Sequence, residues 1–507
     1  MPLILLALFL GLVTYLVISR SFTKVTTTPV WILWLVWMTP VLVLAVWMLL
    51  NGEEPPPPIL IYGLILLCPL LYAVMILVAA SSQKGDKAVA AKLKSSAASD
   101  QNKLPEEPTK PITRDEETLL QRCFPWSIYY LQDIEYRPQA MICKGKLKTS
   151  AAEAYQTVRK NVETNFGDRF LVLLREGLNG TPFFALVPNP HAEDLDKALP
   201  DISQAQAERL RRLKASPLTR PGLAIALALT TLITTTYVGV TFFGGVENIE
   251  GLQEQPDLLY QGLAYSLSLM LILGVHEMGH YLATRHHKLR STLPYFIPVP
   301  FFLGTFGAFI QMRSPMPNRR ALFDVGIAGP LSGLVVSLPI LLWGLMHSTI
   351  VPLNEQSQLL TFDALNPSRS IILLLFSKLA LGGALQADSA LQLHPVAVSG
   401  CLGLIVTALN LMPVGQLDGG HVVHAMYGQR TATIVSQVAR LLMLILSFVY
   451  QEFFLWAVLL LFIPSAEPAL NDVSELNGVR DFLGLLSLTL LVLIILPAPA
   501  VLMGLLL

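Results

Sequence analysis

Charge is scarce in this chain. Of its 507 residues only 14% are Asp, Glu, Lys or Arg, against roughly 25% in a soluble globular domain. Net charge is missing as well. The 35 basic and 35 acidic side chains cancel, which removes the electrostatic case for nucleic acid or an anionic surface as the main partner. Cysteine is sparse: Cys68, Cys123, Cys143 and Cys401 show no short paired spacing of the kind that makes a thiolate zinc site or a disulfide framework. Each reads as a buried apolar thiol. Cys123 and Cys143 could pair across a hairpin, although nothing in the sequence demands it. The first apolar run, Leu3 to Ile18, has no basic leader and is followed directly by two more such runs. It therefore reads as an anchor rather than a signal peptide.

What fills the chain instead is apolar sequence, 53% of all residues, gathered into runs long enough to cross lipid. About 20 helical residues span roughly 30 Å of hydrocarbon. Candidates are Val30 to Leu50, Leu60 to Ala80, Leu223 to Phe243, Gly262 to Thr284, Val325 to Met346, Val396 to Met412 and Phe482 to Leu507. Leu3 to Ile18, Ile371 to Leu381, and the pair Ile434 to Tyr450 and Phe453 to Ile463 are weaker. The expected fold is an α-helical polytopic membrane protein of eight to ten membrane segments, with a small soluble α+β domain inserted before the later spans.

The expected domains are N-terminal transmembrane segments at 1–80, a flexible Lys-, Ser- and Ala-rich linker at 81–117, a soluble α+β domain at 118–217, a core at 218–465, and a C-terminal loop and transmembrane segment at 466–507. Within the soluble part, strand-like runs at Ser127 to Ile142, Arg169 to Leu174 and Pro182 to Val187 flank an amphipathic helix near Ala151 to Asn165. Basic residues cluster at Arg20 and Lys24, Lys84 to Lys94, Arg209 to Arg220, Arg285 to Arg290 and Arg313 to Arg320. Asn51 to Pro58 and Gly244 to Asp257 carry acidic residues and no basic ones. Alternating these loops across the bilayer satisfies the positive-inside rule and puts the soluble domain on the cytoplasmic or stromal side.

The run Gly262 to Thr284 contains His276, Glu277, Met278, Gly279 and His280. Residues four apart share one helical face, so the two imidazoles can meet a single zinc ion, and Glu277 beside the first can act as general base toward a zinc-activated water. Ionisable groups are costly inside lipid, which argues for function over chance. A catalytic zinc needs a further protein ligand. Asn410 to Gly420 is a Pro- and Gly-broken stretch at the end of another apolar run, and Asp418 within it can supply an oxygen. Two neutral imidazoles, one carboxylate and a hydroxide balance a divalent ion, which suits a low-dielectric setting.

Together, the His-Glu-x-x-His helix and the Asn-x-x-Pro-x-x-x-Leu-Asp-Gly segment resemble the site-2 protease family of intramembrane metalloproteases. The resemblance covers about Pro221 to Ile463, and the soluble insert before it is similar to the cyanobacterial and chloroplast branch. It implies His276, His280 and Asp418 as ligands of one Zn2+ per chain, Glu277 as base, and Asn410 as a group that positions substrate or stabilises an oxyanion. It also implies membrane-spanning protein or peptide substrates, and a plasma or thylakoid-type membrane. Gly329, Pro330, Leu331, Ser332 and Gly333 match the family's Gly-x-x-x-Gly element, for which close helix packing is the simple reading. Phe301 to Met312, rich in aromatic residues and interrupted by Gly, is expected to form a membrane-associated hairpin that holds an unwound substrate by β-augmentation. His421 and His424, just past Asp418, read as neighbours of the site or stand-in ligands. The gap from His347 to Pro395 is too short for a PDZ domain, leaving the soluble domain as the candidate regulator. Two rivals are a membrane zinc transporter, which would need several ligand layers along a path, and a catalytically idle membrane scaffold.

Overall fold

The computed structural model describes Thr39, Val43, Trp47, Ile112 and residues 114–506, apart from 138–139, 178–179, 190–219, 245–256, 300–302, 354–364, 387 and 451–452. The runs expected at Leu3 to Ile18 and Leu60 to Ala80, and the linker to residue 111, lie outside the described residues. Of Val30 to Leu50 only Thr39, Val43 and Trp47 are described, all helical. The chain divides into two compact units, Met1–Glu107 and Pro108–Leu507, and the second contains both the soluble sheet and the helical core.

That unit opens with helix α1 (Arg114–Arg122), which straddles the linker boundary drawn at residue 118. Strands β1 (Tyr129–Arg137) and β2 (Ala140–Leu147) come next, then helix α2 (Ala151–Phe166) and strands β3 (Phe170–Glu176) and β4 (Pro182–Pro188). The sheet is antiparallel in the order β1-β2-β4-β3. Helix α2 begins where Ser150 accepts from the Glu153 amide and ends at Gly167, whose φ of 63° suits a residue without Cβ. Its buried Ala154, Tyr155, Val158 and Val162 line one face and pack with Tyr129, Val172 and Phe184 in a single apolar core. Cys123 and Cys143 are both free thiols inside that core, and burial pushes the Cys143 thiol up to about 12. No disulfide crosses this hairpin.

The rest is mainly helical: α3 (Pro221–Gly244), α4 (Asp257–His286), α5 (Arg319–Met346), α6 (Ile371–Leu381), α7 (Pro395–Leu411), α8 (Asp418–Val449), α9 (Phe454–Leu461), α10 (Gly478–Ile495) and α11 (Ala500–Leu506). Among the described residues five helices, α3, α4, α5, α8 and α10, are long and apolar enough to cross a membrane, and two shorter apolar helices span Ile371–Ala384 and Pro395–Leu411. The pair expected at 434–450 and 453–463 is instead the tail of the 32-residue α8 and the eight-residue α9. Leu, Ile and Val continue past Gly428, and the helix resumes there because no Pro follows.

Two small ribbons complete the fold. Strands β5 (Tyr295–Pro298) and β6 (Thr305–Phe309) pair antiparallel, as do β7 (Thr349–Pro352) and β8 (Ser389–Gln392). The turn of the first ribbon meets α3 through Gly304. Its φ is 82°, and an added Cβ there would lie 2.4 Å from the Thr235 Cα, so only glycine allows both the turn and the contact. Thr234 donates to the Gly304 carbonyl at 2.7 Å and fixes the approach.

Candidate metal centre

Helices α4, α5, α7 and α8 come together around the residues singled out by the sequence. His276 and His280 occupy successive turns of α4. Both are buried in spite of their polarity, and their Nε2 atoms stand 3.2 Å apart. Asp418 opens α8 directly after the broken stretch at Pro413 to Gln416. Its Oδ2 lies 3.2 Å from His280 Nε2 and 3.7 Å from His276 Nε2. These three residues form the one cluster of potential metal ligands found among the described residues.

The spacing tests whether zinc fits. Ligand bonds of 2.0–2.1 Å in a tetrahedral shell put donor atoms about 3.3 Å from one another, and the three separations bracket that value. The tautomers agree. His280 Nδ1 donates to the Val325 carbonyl of α5 at 2.7 Å, which leaves a lone pair on Nε2 facing the common point. Two imidazole lone pairs and a carboxylate oxygen aimed at one another repel unless a cation sits between them, so the donor set fits a divalent metal.

Glu277, next to the first histidine, is also buried. The backbone of Ile310, just past β6, lies close to its carboxylate. Asn410, near the end of α7, places its amide nitrogen 3.2 Å from His276 Nε2. The structure thus brings all five predicted site residues into one cluster supplied by three helices.

Gly329 and Gly333 do more than let helices approach. A Cβ on Gly329 would lie 2.0 Å from His280 Nε2, and one on Gly333 would lie 3.0 Å from His276 Nδ1. The two glycines of α5 are the floor on which the imidazoles rest. Gly279 of α4 sits as tightly on Ala328 and Ser332, and Ser332 donates to the Val275 carbonyl. This face of α5 is close-packed with the turns that carry His276 and His280.

His421 and His424 stay out of the cluster. His424 Nε2 meets the carboxylate of Asp472 at 2.9 and 3.1 Å, and the Asp472 Oδ1 also meets Arg319 Nε at 3.3 Å. The sequence pattern singles out neither Asp472 nor the Val325 carbonyl. A backbone oxygen has no sequence signature, and Asp472 lies in a loop among other polar residues. A buried partner for Arg319 is nonetheless implied by a basic residue heading an apolar helix.

Residues 264–450 match the model of peptidase family M50. Among curated proteins, the chain is 28% identical over 74% of its length to "Probable zinc metalloprotease EGY2, chloroplastic" of Arabidopsis thaliana, covering 63% of that protein. It is 26% identical over 75% of its length to the Oryza sativa subsp. indica protein of the same name, covering 66%. It is 34% identical over 48% of its length to "Probable zinc metalloprotease EGY1, chloroplastic" of Arabidopsis thaliana, covering 45%. The chain therefore spans less than two thirds of the length of these relatives. No solved structure matches it.

Proposed function

Because the chain carries a peptidase family M50 domain across residues 264–450, we propose that it is an intramembrane zinc metalloprotease, a metalloendopeptidase that hydrolyses peptide bonds of membrane-spanning substrates. The observation that carries this reading is the triangle of His276, His280 and Asp418 donors at tetrahedral spacing, with Glu277 on the same helical turn.

His276, His280 and Asp418 would hold one Zn2+ per chain. When bound, it polarises a water and the scissile carbonyl. Glu277 takes the proton of the attacking water and delivers it to the departing amine. Burial of its carboxylate keeps it aimed at the metal side rather than at solvent. Asn410 presents its amide where the carbonyl oxygen gains charge and stabilises that charge by hydrogen bonding. Gly329 and Gly333 keep both imidazoles in register.

Peptide bonds in a transmembrane helix are shielded by their own hydrogen bonds, so a substrate must unwind before attack. The ribbon β5–β6 suits that task. β5 packs against α3, β6 has no second strand partner among the described residues, and its end touches Glu277 through Ile310. An opened substrate segment adds to the β6 edge and is delivered beside the base.

The chain crosses the membrane eight to ten times, counting the N-terminal apolar runs. The names of the curated relatives and the distribution of Lys and Arg together favour a chloroplast-type membrane with the soluble domain facing the stroma. A zinc transporter would need successive ligand layers, whereas the described residues hold a single cluster.

Glu277→Gln decides the reading. Purified in lipid, it should retain zinc at the wild-type ratio by elemental analysis while cleavage of transmembrane model peptides falls to background. Cleavage at the wild-type rate would remove Glu277 from its role. Zinc uptake into liposomes that depends on His276, with no peptide cut, would replace the protease by a transporter.

A further inference from the structure

Residues 469–473, between α9 and α10, run extended between two bodies. On one side the Leu174 amide of β3 donates to the Leu470 carbonyl at 2.7 Å, and the Asp472 amide donates to the Leu174 carbonyl at 3.0 Å. On the other side the Leu470 and Asn471 amides donate to the carbonyls of Met316 and Pro317, at 2.8 and 3.0 Å, just before α5. Asn471 bridges Leu174 and Asn318 in parallel fashion. Its neighbours share the two cores: Leu470 and Val473 pack with the soluble domain, Ala469 with the membrane-side cluster around Phe323 and Val422. The segment bridges the β3 edge of the four-stranded sheet at Leu174 and, simultaneously, forms a strap across the start of α5.

The strap presents Asp472 to the metal-bearing helices. Asp472, Arg319 and His424 are all buried. The carboxylate joins Arg319, at the head of α5, to His424, six residues past Asp418 on α8. Helix α8 is interrupted at Gly428, whose φ of 82° and ψ of 167° are non-helical. The stretch from Asp418 to Tyr427 is therefore a short arm set off by a kink from the rest of its helix, and its direction is fixed by what packs against it. Arg319 lies over the hinge, where a Cβ on Gly428 would come within 2.6 Å of Nη2. Asp472 holds this arm by its side chain, and through Arg319 it holds the helix whose glycines support both imidazoles.

We propose that Asp472 is a positioning residue for the metal centre, and that it ties docking of the soluble α+β domain to the placement of Asp418. The soluble domain becomes a regulatory element of the site: a ligand or modification that loosens β3 from the strap loosens the third metal ligand. This rests on the protease reading for its consequence but not for its first measurement.

The test uses the full chain in phospholipid nanodiscs, with zinc affinity by chelator competition, kcat and KM on a transmembrane peptide, and thermal melting. Partners that orient metal ligands change metal affinity by about 10- to 100-fold. Asp472→Ala should weaken zinc about tenfold and lower kcat at least as much, with KM within twofold. His424→Gln, which keeps an N–H for the carboxylate, should stay near wild type, and His424→Leu should match Asp472→Ala. Leu174→Pro removes the N–H given to the strap together with a side chain fully buried in the sheet core, and it should weaken zinc further than Leu174→Ala, which truncates the side chain but keeps the N–H.

Folded Asp472→Ala protein with zinc affinity and kcat within twofold of wild type overturns the proposal, even if its melting temperature drops. Affinity in Leu174→Pro no weaker than in Leu174→Ala overturns the link to the soluble domain. If Asp472→Ala does not fold, Asp472→Asn decides by the same readings. Wild-type protein that cuts no membrane-spanning peptide sinks the protease reading, while the zinc affinities still judge Asp472.

Discussion

Gly329 shows how much the metal centre depends on an atom that is not there. With a Cβ at that position 2.0 Å from His280 Nε2, even alanine must push the imidazole off the point it shares with His276 and Asp418. Gly329→Ala should bind zinc at least tenfold more weakly by chelator competition, with helical content by circular dichroism unchanged. Retained affinity would return Gly329 to a packing role. His276, His280, Glu277 and Asp418 are legible in the sequence because so many ionisable groups in apolar runs need a shared reason to be there. Gly329 is legible only as a small residue, since its neighbour across the helix pair is a tertiary fact. Asp472 is not legible at all: its partners lie on two other helices, and nothing local distinguishes it from a solvated loop aspartate.

At the scale of elements, Phe301 to Met312, expected to form a hairpin by itself, supplies only the second strand of one; the first, Tyr295–Pro298, lies wholly ahead of that stretch. The aromatic and β-branched content marks the second strand. The first contains Pro298, a residue that ordinarily breaks a strand, and it survives here where the ladder shifts register between Phe296 and Pro298. Gly307 in β6 has a φ of 96°, out of reach of proline. Gly307→Pro should cut the rate on a helical transmembrane substrate at least tenfold while zinc content stays at the wild-type ratio. An unchanged rate would exclude the ribbon as a substrate clamp. The single run Ser127 to Ile142 divides into two strands, β1 ending at Arg137 and β2 starting at Ala140. Helix α8 departs from expectation in the opposite direction: the run expected from Ile434 continues a helix that starts at Asp418 and passes through a kink at Gly428.

Over the whole unit, the candidate metal ligands bring together α4 and α8, and the strap brings together the sheet and α5. Ligand held only by the folded state stabilises it by RT ln(1 + [L]/Kd), about 2.7 kcal/mol at a hundredfold excess over Kd. Chelator treatment should therefore lower the melting temperature of the purified protein, and added zinc should restore it. The same titration on His276→Ala should show no zinc-dependent shift; a full shift there would move the ion elsewhere. The long apolar helices and the strand and helix alternation of residues 127–187 are readable from composition and periodicity. The joint between them is not, because the strap is short, carries one bridge to each side, and has no strand pattern of its own.

The strap also sets an order of events. Leu174 of β3 and its bridge partner Asn471 are separated by nearly three hundred residues of chain, so the β3 edge lacks the strap until the segment after α9 has left the ribosome. Until then neither His424 nor Arg319 has its acid partner. A half-made chain already carrying His276, Glu277 and His280 would hold an unsupported Asp418 arm, and proteolytic competence would arrive late in synthesis, after most of the helices are in lipid.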